Sequence, residues 1–221
     1  SILTDGYRLL PKIFSLEAYQ FLFKAPEDML HAYGVTIFVT AVGTFSSMIV
    51  TSMAAYVLSS RDFTYRNTVS FFFYFTTLFN GGMVSTYIFY IQYLHLKDNL
   101  LALILPGMVN IFYLLIMRSF VAAVPIALVE SAKIDGAGEF RTFLQIVLPL
   151  LKSGLATIGL FMALGYWNDW YNAMLYMNSS EKYPLQYMLY DLLQQTQALA
   201  RIASQAGIRG ESLPSNTLKL A

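Results

Sequence analysis

Four long stretches of the chain, almost free of charge, set the strongest limit on its fold. They cover residues 35–58, 69–91, 100–117 and 153–177, and Asp169 is the only charged residue inside them. A membrane-spanning helix needs about 20 mostly apolar residues, so each stretch is long enough for one span. Their apolar residues run continuously rather than alternating, which favours helices over the strands of a barrel. We therefore predict an all-α integral membrane protein with four transmembrane helices.

The composition argues against the other broad classes of protein. Charged residues make up 12% of the 221 residues, about half the share of a typical soluble domain, and hydrophobic residues make up 57%. This disfavours the alternative of four buried helices in a large soluble core, and it excludes a disordered chain. A net charge of +1 without a basic block argues against nucleic-acid binding. With no cysteine and only two histidines, we expect no metal site.

The Lys and Arg residues are unevenly divided among the connecting segments. Six of the 14 lie in 59–68 and 118–152, at about twice the density of the other segments. By the positive-inside rule, we expect a cytoplasmic turn at 59–68 and a cytoplasmic loop at 118–152. Segments 1–34, 92–99 and 178–221 are then external.

The cytoplasmic loop carries strong local helix signals. Pro125 suits the first turn of a helix, and Gly136 suits the left-handed residue that closes it. A second helix is expected to begin near Glu139 and to end at Pro149. Its apolar side chains form one stripe, which packs either within this protein or in a groove of another one: Phe140, Phe143, Leu144 and Val147.

A spaced motif in this loop points to a family. It consists of Glu-Ser-Ala at 130–132, Gly-Ala at 136–137 and Ile-Val-Leu-Pro at 146–149. The motif resembles the EAA loop of ABC importer permeases, with Ser131 as a small-for-small replacement of Ala. Other segments resemble the carbohydrate-uptake branch of that family, which includes permeases for complex oligosaccharides and uronides: 55–66, 81–82, 96–107, 166–170 and 183–186.

The resemblance implies a six-span permease fold in the bacterial cytoplasmic (inner) membrane, with two short cytoplasmic coupling helices. Four of the six spans are visible here. On that basis, residues 1–34 follow a missing first span and 178–221 lead to a missing last span. The implied partners are cytoplasmic ATPase subunits, a second permease subunit (we expect a heterodimer), an external solute-binding protein and membrane lipid.

In the family, this loop carries motion from the ATPase subunits to the spans. The resemblance implies that coupling role for six residues here: Glu130, Ser131, Ala132, Asp135, Gly136 and Ala137. Glu130 and Asp135 could pair with basic groups of the ATPase, and Lys133 and Arg141 with acidic ones. The alternative for both carboxylates is a solvated charge or a helix cap.

The chemistry of ATP hydrolysis is not expected in this chain. Its sequence has no Gly-x-x-x-x-Gly-Lys-Ser/Thr phosphate loop. We therefore expect a non-catalytic subunit without a cofactor of its own, with ATP and Mg bound by the partner ATPase subunits.

Polar residues inside the predicted spans are candidates for the substrate pathway. Amides and carboxylates can bond sugar hydroxyls, and aromatic rings can cover their C–H faces. Alternatives are an aromatic belt at the membrane surface and helix–helix packing. We expect residues 167, 170 and 171 to lie on one helical face, and 168 and 172 on another. The candidates are Asn80, Asn110, Tyr166, Trp167, Asn168, Asp169, Trp170 and Asn172.

These observations predict the permease subunit of an ATP-driven ABC importer. It would pass an oligosaccharide from an external binding protein across the cytoplasmic membrane. The alternatives are an ABC permease for another small solute and a stand-alone secondary transporter. Secondary transporters often hold charges inside their spans, and only Asp169 lies in one here. An intramembrane enzyme is disfavoured because the spans hold no cluster of His, Asp and Glu.

Overall fold

The computed structural model describes residues 26–79 and 81–205, and every regular element in this part of the chain is a helix. The first, α1, is Pro26–Ser59, which begins earlier than the predicted span 35–58. Glu27 and Asp28 lie in its first turn, where negative charge is favourable to the helix dipole. Within the described residues, α1 is the one helix that is by itself long and apolar enough to cross a membrane.

The prediction of one continuous helix over 69–91 is wrong. Helix α2, Arg66–Leu78, ends before Phe79, whose backbone is extended (φ −121°, ψ 115°). Helix α3, Gly82–Ile88, begins at a glycine with φ +82° and continues into a π-helical turn, Phe89–Tyr93. No charge interrupts this stretch, but a glycine in a left-handed conformation breaks the helix.

The predicted span 100–117 is bent. Helix α4, Leu101–Ile104, continues as a 3₁₀ turn, Leu105–Gly107, and helix α5, Ile111–Ala122, follows at an angle of 55°. The bend lies next to Asn110, which is extended (φ −107°, ψ 117°) and caps α5.

The predicted loop 118–152 holds the two expected helices. The first is α6, Ile126–Ile134. The second begins as α7, Glu139–Thr142, and passes through a π-helical turn, Phe143–Val147, into α8, Leu148–Leu150.

Proline does not end the second helix as predicted, because the chain stays helical to Leu150. Pro149 comes just after the wide π-helical turn. In a regular α-helix, the proline ring would press against the backbone carbonyl four residues earlier, and the wider turn avoids this clash. The change of direction comes instead at Leu151, after which α9, Lys152–Trp167, leaves at 83°.

The predicted span 153–177 is also interrupted. Helix α9 ends at Trp167, and α10 is a separate short helix, Tyr171–Tyr176. A 3₁₀ turn, Ser180–Lys182, leads to a long last helix, α11, Leu185–Gln205. Residues 1–25 and 206–221 of the predicted external segments lie outside the described residues.

Helix α1 packs along α9 and α5, and the buried apolar side chains form two clusters. One cluster joins the end of α1 to α5, α9 and the π-helical turn after α7, around Ala55, Met117 and Val147. The other joins the middle of α1 to α4, α10 and the end of α9, around Val39 and Tyr166.

Many large apolar side chains of α1 are exposed, Phe45 by 70%, as suits a surface covered by lipid or other chains. With each bent pair counted as one span, the described residues contain up to three spans, so the predicted count of four is not confirmed.

Candidate functional site

The EAA segment (residues 130–137) closes helix α6 as its sequence predicts. Gly136 has φ +78°, its N–H donates to the carbonyl of Lys133 at 3.1 Å, and the N–H of Ala137 donates to the carbonyl of Ala132 at 2.9 Å. These two bonds form a Schellman closure, which needs a left-handed residue at Gly136. The sharp bend between α6 and α7 therefore rests on a residue without a side chain.

The EAA segment presents its two carboxylates outward and buries one small residue. Ala132 is buried against the protein, and Ala137 is half-buried. Glu130, Ser131, Asp135 and Gly136 are exposed, as is Ile134, by 86%. Neither carboxylate makes a hydrogen bond or an ion pair within residues 26–79 and 81–205. This surface can therefore accept another protein without first breaking a bond.

The positive charge inside the EAA segment is used within the chain. The Nζ of Lys133 lies 2.7 Å from the Oε1 of Glu139 and also bonds the Oδ2 of Asp62. The Tyr56 hydroxyl donates to the Oε2 of Glu139 at 2.6 Å. Asp62, followed by Glu139, raises the pKa of Lys133, and Lys133 lowers the pKa of Asp62. Lys133 is therefore engaged within the chain, in contrast to the expected pairing with a partner. We refer to these four residues as the Lys133 network.

The apolar stripe of the second loop helix is divided between the two expected alternatives. Phe143 and Val147 are buried in the core, and the ring of Phe143 lies 5.4 Å from that of Tyr56. Phe140 and Leu144 are exposed and border an apolar cavity of about 660 Å³ between α1 and α9.

A second cavity, of about 160 Å³, brings together three of the predicted pathway residues. It lies between the bend of α4–α5 and the end of α9, and Asn110, Tyr166 and Asp169 line it together with Tyr113 and Met162. We call it the Asn110 cavity.

The hydroxyl of Tyr166 is fixed by two buried bonds. It donates to the carbonyl of Ile104 at 2.9 Å and lies 2.9 Å from the Oγ of Ser47 in α1. Two glycines give the ring its space, because a Cβ on Gly43 or Gly107 would stand 2.8 or 3.1 Å from it. Three elements thus hold Tyr166 beside the Asn110 cavity.

The other two predicted pathway residues that line the cavity, Asn110 and Asp169, already accept hydrogen bonds from neighbouring groups. The Oδ1 of Asn110 accepts from the backbone N–H groups of Phe112 and Tyr113, at 3.0 and 3.3 Å. The carboxylate of Asp169 accepts from the backbone N–H and the side-chain amide of Asn172, at 3.1 and 2.7 Å. Asn172 therefore orients Asp169 and does not line the cavity.

The remaining predicted pathway residues lie away from the cavity. Asn168 donates to the carbonyl of Leu164 at 2.8 Å and accepts from Gln186 at 3.2 Å. Trp170 stacks on Tyr190 of α11, with ring centroids 4.3 Å apart. Trp167 is half-buried and is the last residue of α9. Residues 170 and 171 come after this end, so the expected shared face of residues 167, 170 and 171 does not form. Asn80 lies outside the described residues.

A polar clamp around Asp98 lies at the end of the helices opposite to the loop 118–152. It was not predicted from the sequence. The Asp98 carboxylate accepts bonds from the backbone N–H groups of Asn178 and Ser179, the hydroxyl of Ser179 and the Nζ of Lys182, at 2.7–3.1 Å. These donors, Lys182 first, hold the pKa of Asp98 well below its usual range. The clamp joins segments about 80 residues apart, so no local pattern could have indicated it.

The His, Asp and Glu side chains are spread out in the part of the chain that the structure describes. That part contains no group of three or more His, Cys, Asp or Glu side chains that could hold a metal ion.

Comparisons with known proteins agree with the resemblance. The family described as "Binding-protein-dependent transport system inner membrane component" matches residues 34–199. The polygalacturonan/rhamnogalacturonan transport system permease protein YtcP of Bacillus subtilis (strain 168) is 39% identical over 221 residues, which are all of this chain and 76% of that protein. Protein LplC of the same organism is 44% identical over 83% of this chain, which spans 62% of LplC.

A solved structure has the same fold. It is a bacterial ABC transporter involved in the import of the acidic polysaccharide alginate, with a TM-score of 0.78 and 31% sequence identity. The match covers 86% of this chain and 67% of the solved chain.

Proposed function

Because this chain belongs to the family of inner-membrane components of binding-protein-dependent transport systems, we propose that it is the permease subunit of an ATP-driven importer of oligosaccharides. The proposed coupling to the ATPase subunits rests on one structural observation, the exposed C-terminal half of α6. There, Glu130 and Asp135 project without partners in the described residues, on a helix closed by Gly136. A short rigid helix with unpaired carboxylates fits a groove lined with basic groups.

The coupling surface consists of the six EAA residues. Ala132 anchors α6 to the protein, Gly136 and Ala137 close it, and Glu130, Ser131 and Asp135 face the ATPase subunits. ATP and Mg are bound by those subunits, because this sequence has no phosphate loop. The chain is then a transport subunit that hydrolyses nothing itself.

The proposed substrate class is an oligosaccharide released from an acidic polysaccharide. One relative, named for polygalacturonan and rhamnogalacturonan transport, and a structural neighbour named for alginate import support this class. The Asn110 cavity offers amide, phenol and carboxylate groups that bond sugar hydroxyls. None of the described residues that line it is Lys or Arg, so the sugar carboxylates would be met by the second permease subunit or the binding protein.

The other partners are assigned by the same reasoning. A homologous second permease subunit completes a heterodimer, and lipid covers exposed apolar side chains such as Phe45. An external solute-binding protein delivers the sugar on the side of the Asp98 clamp, and residues 59–68 and 118–152 face the cytoplasm.

The central test is uptake by the purified complex. We expect a tag on this chain to co-purify ATPase subunits. In proteoliposomes with the binding protein, trigalacturonate should stimulate both ATP hydrolysis and uptake, and arabinotriose should do so less. Uptake driven by a proton or sodium gradient without ATP would refute the proposal and support a stand-alone secondary transporter.

The coupling surface has its own test in Glu130→Arg. We expect it to lower substrate-stimulated ATP hydrolysis by about tenfold or more, because it reverses a charge at the docking surface. Lys152→Glu reverses a charge at an exposed residue of the same loop that has no side-chain bond within the described residues, and it should leave hydrolysis unchanged. Equal activities of the two variants would contradict the assignment.

A further inference from the structure

The Lys133 network joins elements that the chain connects only through long segments. Tyr56 lies in the last turn of α1, and Asp62 in the turn between α1 and α2. Lys133 lies in the last turn of α6, and Glu139 begins α7. One ammonium group therefore links both helices of the predicted coupling loop to the end of α1.

Tyr56 strengthens this junction through a second contact. Its hydroxyl bonds Glu139, while its ring packs against Phe143 at 5.4 Å. The neighbouring Ala55 is fully buried in the same cluster as Phe143 and Val147. The end of α1 thus contacts the second loop helix through both a charged network and packed apolar side chains.

Helix α1 leads from this junction to the Asn110 cavity. Ser47 lies nine residues before Tyr56, which is about 14 Å along a helix. Its Oγ is 2.9 Å from the hydroxyl of Tyr166, which lines the cavity. The same α1 therefore touches the loop at one point and the cavity wall at another.

We propose that the Lys133 network is a second, non-covalent link between the coupling loop and the substrate pathway. It makes α1 move with the loop, in addition to α9, which follows the loop along the chain. Lys133 is then a positioning residue for coupling, acting through Glu139 and Tyr56. The inference rests on the proposed function, because it assumes that the loop receives motion from an ATPase.

The test measures sugar taken up per ATP hydrolysed by the complete complex in proteoliposomes. Lys133→Met should lower this ratio about threefold to fivefold, as expected for partly exposed charged contacts. Lys133→Arg should restore most of it, because a guanidinium can also bridge two carboxylates. Tyr56→Phe, which keeps the ring packing, should cause a smaller loss of the same kind.

Lys152→Met is the matched control. Lys152 is an exposed lysine of the same loop and has no bonding partner among the described residues. It should keep the ratio of the unsubstituted complex. A ratio for Lys133→Met equal to that of Lys152→Met would overturn the proposal.

A failure of Lys133→Met to assemble would leave the decision to Tyr56→Phe, and an unchanged ratio in that variant would overturn the link. In complexes that assemble, combining both substitutions should add little to Lys133→Met alone, whereas fully additive losses would contradict a shared path. Absence of ATP-driven uptake in the unsubstituted complex would instead refute the proposed function, and the link with it.

Discussion

Removing one oxygen atom from Tyr166 tests how the wall of the Asn110 cavity is held. In Tyr166→Phe, the hydroxyl no longer donates to the carbonyl of Ile104 or bonds Ser47. Ser47 is fully buried, so it loses a partner that water does not replace there. Its hydroxyl can turn to a carbonyl one turn earlier in α1, which recovers part of the loss.

The magnitude follows from these two bonds. A buried polar group left without a partner costs about 1–3 kcal/mol, and the turn of Ser47 reduces the total. We expect a loss of about 1–2 kcal/mol, which lowers the melting temperature of a chain of this size by about 2–8 °C. The ring itself stays packed between Gly43 and Gly107.

Thermal unfolding of the purified protein in detergent measures the effect. Tyr113→Phe provides the control, because Tyr113 lines the same cavity and its hydroxyl bonds no described residue. That variant should unfold within about 1 °C of the unsubstituted protein. Equal melting temperatures for the two variants would refute the claim that the Tyr166 hydroxyl holds α1 and α4 together.

Two further predictions concern packing and charge. Gly43→Ala should lower the melting temperature, because its Cβ would stand 2.8 Å from the ring of Tyr166, whereas Gly34→Ala meets no atom within 4 Å and should match or exceed the unsubstituted protein. An equal shift in both variants would argue against this close approach. Asp98 has a lowered pKa when folded, so its stabilising effect is present above the unfolded pKa, about 4, and fades below it. When the pH falls from 6 to 3, the melting temperature of the unsubstituted protein should therefore fall further than that of Asp98→Asn. Parallel pH profiles of the two melting temperatures would contradict the clamp.

Local signals were enough to predict the two helices of the loop 118–152. Gly136 has the left-handed backbone that its place after α6 requires, and α7 begins at Glu139 as expected. Pro149 misled the prediction, because a π-helical turn lets the helix pass through it. The long uncharged stretches correctly indicated where α1 and α9 lie, because a helix buried in lipid needs a continuous apolar sequence.

Breaks in the helices escaped the sequence analysis. The sequence predicts one span over 69–91, but Gly82, with a φ of +82°, begins a separate helix there. Asn110 was interpreted as a pathway residue, and an asparagine before an apolar run is also a strong helix cap. Because α9 stops at Trp167, grouping the following aromatic residues by helical periodicity failed.

Contacts between distant segments could not be predicted at all. Lys133 and Asp62 are 71 residues apart, and each alone is an ordinary surface charge. The partnership of Tyr166 and Ser47, 119 residues apart, depends on how α1 packs along α9. Periodicity and spacing describe single elements, so they contain no information about these pairs.

In the proposed coupling, the corner at Leu151 would set the direction in which a push on the loop reaches α9. With 83° between the second loop helix and α9, a displacement along the former tilts α9 instead of sliding it along its own axis. Leu151 is buried in the core, so the corner would serve as the pivot about which α9 tilts. Tyr166 stands 15 residues from this pivot, about 22 Å along the helix, so a tilt of about 5° moves it by about 2 Å. That is more than a hydrogen bond tolerates, so even a small tilt either breaks the bond between Tyr166 and Ser47 or carries α1 along.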